Sequence, residues 1–314
     1  KHFLPCLRRV SLMEILSSPL WSDYTFRVVL AGTTILGILC GVLGSFIVLR
    51  REALLGDGIA HSSYPGIMLA FMFLGVKSLD GLLLGAFISA LVATGLILMA
   101  RQYTRLPFDG VLASVLSGFF GAGLVLAAII QHSGNANQAG LNQFIFGQAS
   151  TILYRDVILT TSLSLIVLLL VVLFWKELKL MAFDPDYAGA LGLPGGKLNV
   201  LLSFLTMMTV LLSIQAVGII LMSAMLIAPS VAARQWTRRL EPMVLLSALF
   251  GAVSSATGTI ASSSISKMPT GPAIVVAASV IVITSLLFAP RRGLVSQYLH
   301  HKRLAAPAKK GGVL

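Results

Sequence analysis

The chain has 314 residues, of which 57% are hydrophobic and only 11% charged, and its mean hydropathy is +0.93. A soluble domain carries about 25% charged residues, so a soluble fold is excluded and a polytopic all-α membrane protein is expected. The net charge of +12 does not point to nucleic acid, because the Lys and Arg residues lie between apolar runs, where they orient membrane spans, and form no patch on a soluble module.

Residues 1–27 set Leu12, Ile15, Leu16, Leu20 and Trp21 beside Arg8, Arg9, Glu14 and Asp23. This pattern predicts an amphipathic helix in the membrane interface, too polar to span. The segment lacks the continuous apolar core of a cleavable signal peptide. Apolar runs of spanning length follow at 28–49, 53–76, 81–100, 110–130 and 157–175, each near the 17 to 25 residues a helix needs to cross. The uncharged stretch 198–233 would be about 54 Å as one helix, so two passes broken near Gln215 to Gly218 are expected. Runs at 242–264 and 271–289 complete nine passes, with eight or ten allowed. Cys6 and Cys40 make no disulfide framework, and Cys40 reads as a small hydrophobe in an apolar run.

Charge parity tests this count. With the Arg50/Arg51 corner in the cytoplasm, the same side receives Arg101, Arg105, Lys176, Lys179, Lys197, Arg234, Arg238, Arg239 and the basic tail. The opposite loops hold Lys77, Arg155 and Lys267, a strong positive-inside signal. The organisation expected is an interfacial segment at 1–27, a transmembrane domain at 28–290 and a basic, little-folded cytoplasmic tail at 291–314.

The second apolar run opens RREALLGDGIAHSSYPG from Arg50 to Gly66. Among the five histidines only His61 lies inside an apolar run, and among the eleven acidic residues only Asp57 lies well inside one. Four residues apart, they share one helix face. With a helix starting near Ala53, Asp57 sits roughly 6 Å and His61 roughly 12 Å into a layer about 30 Å thick. Ionisable groups at such depth face the bundle interior and mark a pathway or site. One reading is a pair that ties two helices together. The other is half of a metal site, one imidazole nitrogen and one carboxylate oxygen, suited to Mn²⁺, Fe²⁺ or Zn²⁺. Pro65 either kinks the helix or frees the His61 carbonyl, since it has no N–H for the residue four earlier.

Two connections exceed turn length. Residues 131–155 face outward and read as a folded loop or re-entrant segment, in which His132 is either solvated or a contact for arriving metal. Residues 176–197 face the cytoplasm; there Asp184 or Asp186 can cap a short helix that Gly192 and Pro194 end. That helix is either a docking element or a loop shaped by its own caps. GLPGGKL does not make a phosphate loop, because Leu191 and Leu198 break the pattern, and neither H-E-x-x-H nor G-x-S-x-G occurs.

Four stretches together resemble the membrane permease subunits of ABC importers for manganese, zinc and iron: GSFIVLRREALLGDGIAHSSYPGIMLAF, DPDYAGALGLP, VGIILMSAMLIAPSVAAR and MPTGPAIV. The resemblance runs from about Val28 to Arg291. Gly58 stands where members usually have Ala, which leaves both flanking ligand positions intact. The resemblance implies a bacterial inner-membrane chain in which Asp57 and His61 coordinate the transported divalent metal (Mn, Zn or Fe), with no other cofactor. It also implies a coupling helix with Asp184, Asp186, Ala188 and Gly192 set in a groove of a separate ATPase subunit. The partners implied are two ATPase chains, an extracytoplasmic metal-binding protein and a second permease chain, identical or paralogous. Rival readings are an ATP-independent metal transporter or channel, which needs no coupling helix, and an intramembrane metalloenzyme, for which two ligands are one short of the usual catalytic set.

Overall fold

A computed structural model describes residues 23–75, 79–132, 154–264, 268–290 and 293–297. Among them are eleven helices and no strand. In chain order these are α1 (Tyr24–Leu49), α2 (Leu55–Leu74), α3 (Leu79–Tyr103), α4 (Phe108–His132), α5 (Tyr154–Leu173), α6 (Trp175–Phe183), α7 (Pro185–Ala190), α8 (Gly195–Val217), α9 (Ile219–Trp236), α10 (Leu240–Ser264) and α11 (Thr270–Phe288). Eight of them are long and apolar enough to cross a membrane. The ninth expected pass, α2, has 20 residues and carries the polar residues that set it apart.

The expected break in the stretch 198–233 falls at Gly218, whose φ of 89° and ψ of 162° belong to a region that only glycine occupies readily. The run expected to end at Trp175 ends two residues earlier. Trp175 instead opens α6, an amphipathic helix missed in the sequence, with Leu178 and Met181 buried, Lys176 exposed and the Trp175 ring edge-on to Phe46 at 5.7 Å. At the amino end, the Asp23 carboxylate accepts from the Thr25 N–H at 2.9 Å and starts α1 at Tyr24. The expected boundary at 27/28 therefore moves back into the helix. Residues 1–22 of the expected interfacial segment at 1–27, nearly all of the 131–155 connection and all but a few residues of the basic tail lie outside the described residues.

α1 and α8 form the centre of the bundle, where Leu39, Leu43, Phe46, Ile47, Leu205, Met207 and Val210 are fully buried. α1 runs antiparallel to α10 at a distance that only small residues permit: a Cβ on Gly37 would collide with the Gly251 carbonyl, and the reverse also holds. Hydroxyls close the same seam, with Ser247 donating to the Gly41 carbonyl at 2.7 Å and Thr33 and Thr259 bonded at 2.9 Å. Such packing by small residues and hydroxyls replaces the hydrophobic drive that lipid does not supply. α3, α4 and α5 are peripheral and expose apolar side chains such as Leu84, Val125, Leu165 and Leu169, as a lipid-facing surface does.

The ends of the helices sort as the charges predict. At one end Arg50, Arg101 and Asn199 converge, and Lys179 of α6 pairs with Glu241 of α10. At the other, Arg155 pairs with Asp80 at 3.7 Å and Tyr24 meets Tyr154 at 6.1 Å.

Candidate functional site

α2 is enclosed by α3, α4, α8 and α9, and its small residues let them approach. Gly66 meets Gly85 of α3 backbone to backbone, Gly56 faces Leu226 of α9, and Gly58 faces Leu112 of α4. The polar groups of this helix find partners both outside and within it: Ser89 of α3 donates to the Ser62 carbonyl at 2.6 Å, and Ser63 donates back to the Ala60 carbonyl of its own helix at 2.6 Å. α2 stays one helix through Pro65, against whose ring Gly123 of α4 packs.

On this helix Asp57 falls in the first turn and His61 one turn later. Because α2 starts at Leu55, His61 lies about 9 Å along it, shallower than a start at Ala53 would place it. His61 Nε2 and Asp57 Oδ1 are 3.4 Å apart, with side chains 15% and 27% exposed. That separation exceeds the usual N–H···O range. Two bonds of about 2.1 Å at a tetrahedral angle would hold their ligand atoms about 3.4 Å apart, so the pair is spaced as two donors to one ion. The ring orientation is set from α4, where Phe120 stands edge-on to His61 with centroids 4.6 Å apart. His61 Nδ1 is buried and has no hydrogen-bond partner, which leaves Nε2 as the nitrogen facing the accessible side of the pair. Phe120 gave no signal in the sequence, since it belongs to another helix.

No group of three or more His, Cys, Asp or Glu is placed to hold a metal among the described residues. Among the described residues, Asp57 and His61 are thus two candidate donors without a third of these types beside them. His132, the last residue of α4, is exposed.

The segment read as a docking helix is α7. Asp184 is its N-cap, accepting from the Tyr187 N–H at 2.9 Å, and Pro185 takes the first helical position. Gly192 follows with φ +77° and open space around it. Asp184, Asp186 and Gly192 are exposed, whereas Ala188 is fully buried against Met181 and Leu198. Ala188 thus seats α7 on the bundle and does not face outward. The outward surface includes Phe183, Tyr187 and Leu191, each more than half exposed. Their four-residue spacing was legible in the sequence, but attention there went to the Asp and Gly residues.

Beside α2, the corner Arg50 to Glu52 forms a buried ionic cluster. Glu52 Oε1 accepts from Arg50 at 3.1 Å and from Arg101 at 2.6 Å, and Arg50 also donates to Asn199 Oδ1 at 2.5 Å. Burial pushes the Arg50 guanidinium below its ordinary value, against the pull of Glu52.

The model of the ABC 3 transport family matches residues 22–289. The chain is 44% identical over 292 residues to the zinc transport system membrane protein TroC of Treponema pallidum (strain Nichols), covering 93% of this chain and 98% of that one. It is 42% identical to the manganese transport system membrane protein MntC of Bacillus subtilis (strain 168), covering 91% of this chain and 66% of that one. Among solved structures, PsaBC from Streptococcus pneumoniae in complex with Fab superposes with a TM-score of 0.78 at 29% identity, over 93% of this chain and 100% of that one.

Proposed function

This chain belongs to the ABC 3 transport family, and on that premise we propose that it is the membrane permease subunit of an ATP-binding-cassette importer moving Mn²⁺, Zn²⁺ or Fe²⁺ into the bacterial cytoplasm. The observation that carries this reading is the Asp57–His61 pair, 3.4 Å apart on a helix enclosed by four others. Asp57 supplies a hard anionic oxygen and His61 a borderline imidazole nitrogen, a set that accepts any of the three ions. The relatives' names include zinc, manganese and chelated iron transport, in keeping with so permissive a pair.

A second permease chain brings the other half of the ligand set, and an extracytoplasmic metal-binding protein delivers the ion. ATP is hydrolysed by a separate subunit that docks on α7 through Phe183, Tyr187 and Leu191, with Asp184 holding the helix in shape and Gly192 turning the chain after it. The ion is cargo, so it must be released as well as bound. A ligand set divided between two chains meets that need, because it opens when the chains part, as a cage built within one chain does not.

The test is uptake of each metal by cells with and without the chain, under limitation of that metal and after ATP depletion. The expected result is loss of ATP-dependent uptake of one of them, accompanied by co-purification of an ATPase. Uptake that persists without ATP would support the secondary-transporter reading instead.

A further inference from the structure

The buried ionic cluster lies between the two surfaces that transport must connect. Glu52 is 7% exposed, and the Arg50 side chain 8%. Burying charges at the water-facing end of a bundle costs several kcal/mol per ion, which surface pairing would avoid. The contacts join parts of the chain far apart in sequence. Arg50 and Glu52 form the α1–α2 corner, Arg101 comes from the end of α3 and stands 5.2 Å over the Phe108 ring at the start of α4, and Asn199 belongs to the start of α8.

Each end of this chain of contacts is stiff. On the α2 side the helix has no side-chain cap at Leu54. Its entry is fixed by the Glu52 backbone, whose N–H donates to the Ile47 carbonyl at 3.0 Å and whose carbonyl accepts from the Leu55 N–H at 2.9 Å. Asp57 follows five residues after Glu52. The corner also holds Arg51 at φ +59°, a left-handed conformation that a non-glycine residue keeps only when its surroundings impose it. On the α7 side, the Leu193 N–H donates to the Ala188 carbonyl at 3.1 Å, and Ala188 packs on Leu198, the neighbour of Asn199. α7 and the first turn of α8 are thereby joined as one body.

We infer that the contacts Asn199–Arg50–Glu52 form a mechanical link between the α7 docking surface and the Asp57–His61 helix, with Asn199 and Glu52 acting as positioning residues for transport. A shift of α7 carries the start of α8 with it, and the Arg50 guanidinium passes that shift to the corner from which α2 begins. The link rests on the permease reading given above. Neither Asn199 nor Glu52 touches the metal; both act through the position of α2.

Asn199 is the residue to change, since its loss leaves the Glu52–Arg101 pair intact. In vesicles carrying the chain with its co-purifying ATPase and supplied with the metal-binding protein, the readouts are Mn²⁺, Zn²⁺ or Fe²⁺ accumulated per ATP hydrolysed, basal ATP hydrolysis and affinity of the complex for each metal. Asn199→Leu is expected to lower the transport ratio at least about fivefold, the low end of coupling between sites, with basal hydrolysis and metal affinity unchanged. Asn199→Asp, which keeps an acceptor for Arg50, retains the wild-type ratio, and Asn199→Ala repeats the loss with less added bulk. An unchanged ratio in both Leu and Ala variants overturns the link, as does a loss matched by equal losses of metal affinity and basal hydrolysis, the mark of a purely structural role. A wild-type complex that accumulates none of Mn²⁺, Zn²⁺ and Fe²⁺ overturns the permease reading itself, and the link with it.

Discussion

His61 and Asp57 owe their significance to position. One helical turn apart on α2, with Nε2 turned toward the carboxylate and the ring held by Phe120, they have no local structural task that a pair of small apolar residues would not fill. His61→Ala and Asp57→Ala should each leave the chain inserted and bound to its ATPase while lowering uptake by at least about a hundredfold, beyond the loss caused by removing an outer-shell partner of a metal ligand. Radiotracer uptake at matched expression measures this, and wild-type rates in both variants would remove the pair from transport. Glu52 is a different case, because its carboxylate compensates two guanidinium groups. Glu52→Ala leaves Arg50 buried without its counter-charge and should destabilise the purified chain by about 3–5 kcal/mol, read from unfolding in detergent. Arg101→Ala should cost less, since that side chain is 41% exposed and water can replace its partner.

Among the helices, the α8–α9 joint depends on a single backbone conformation. Gly218→Val places a β-branched residue at φ 89°, ψ 162° and should cost on the order of 1–3 kcal/mol, lowering the midpoint of thermal unfolding; an unchanged midpoint would mean that the joint relaxes freely. α7 is too short to hold itself as a helix in water. Its cap at Asp184, Pro185 at its first position and the seat of Ala188 against Met181 and Leu198 do so. Tyr187 and the adjoining Leu191 are more than half exposed and belong to the surface proposed above to meet the ATPase. Replacing both with Asp should weaken ATPase association at least about tenfold, the scale expected when buried interface anchors are lost, with metal affinity unchanged. Co-purification yield and binding titration with the ATPase subunit decide this, and undiminished association would move the docking surface elsewhere.

Taken whole, the molecule is a bundle whose charged ends differ. The end that gathers Arg50, Arg101, Lys179 and Asn199 also carries α7, so the positive-inside rule puts α7 on the cytoplasmic side. The orientation can be measured by introducing single cysteines into a chain freed of Cys6 and Cys40. An impermeant thiol reagent added to intact cells should label Asp80→Cys, and should label Arg105→Cys only after permeabilisation. The reverse pattern would invert the topology and with it the direction of transport.

Much of this protein was legible as one-dimensional pattern. A span count of eight to ten, a break near Gln215 to Gly218 and a cap at Asp184 or Asp186 follow from hydropathy, helix length and local backbone preference, which act between residues near in sequence. The isolation of Asp57 and His61 could be read in the same way, because an ionisable residue inside an apolar run is an anomaly that needs no partner to be noticed. Other features depended on which helices become neighbours. Phe120 against His61, Asn199 against Arg50 and Gly37 against Gly251 join residues that no periodicity relates. Ala188 proved to face inward because α7 rests on α6 and α8, a choice of face that its six residues are too few to impose. The physical reason is common to all of these: propensity and hydropathy decide that a helix forms and crosses, while small-residue contacts and buried charge, available only once the bundle closes, decide what each face meets.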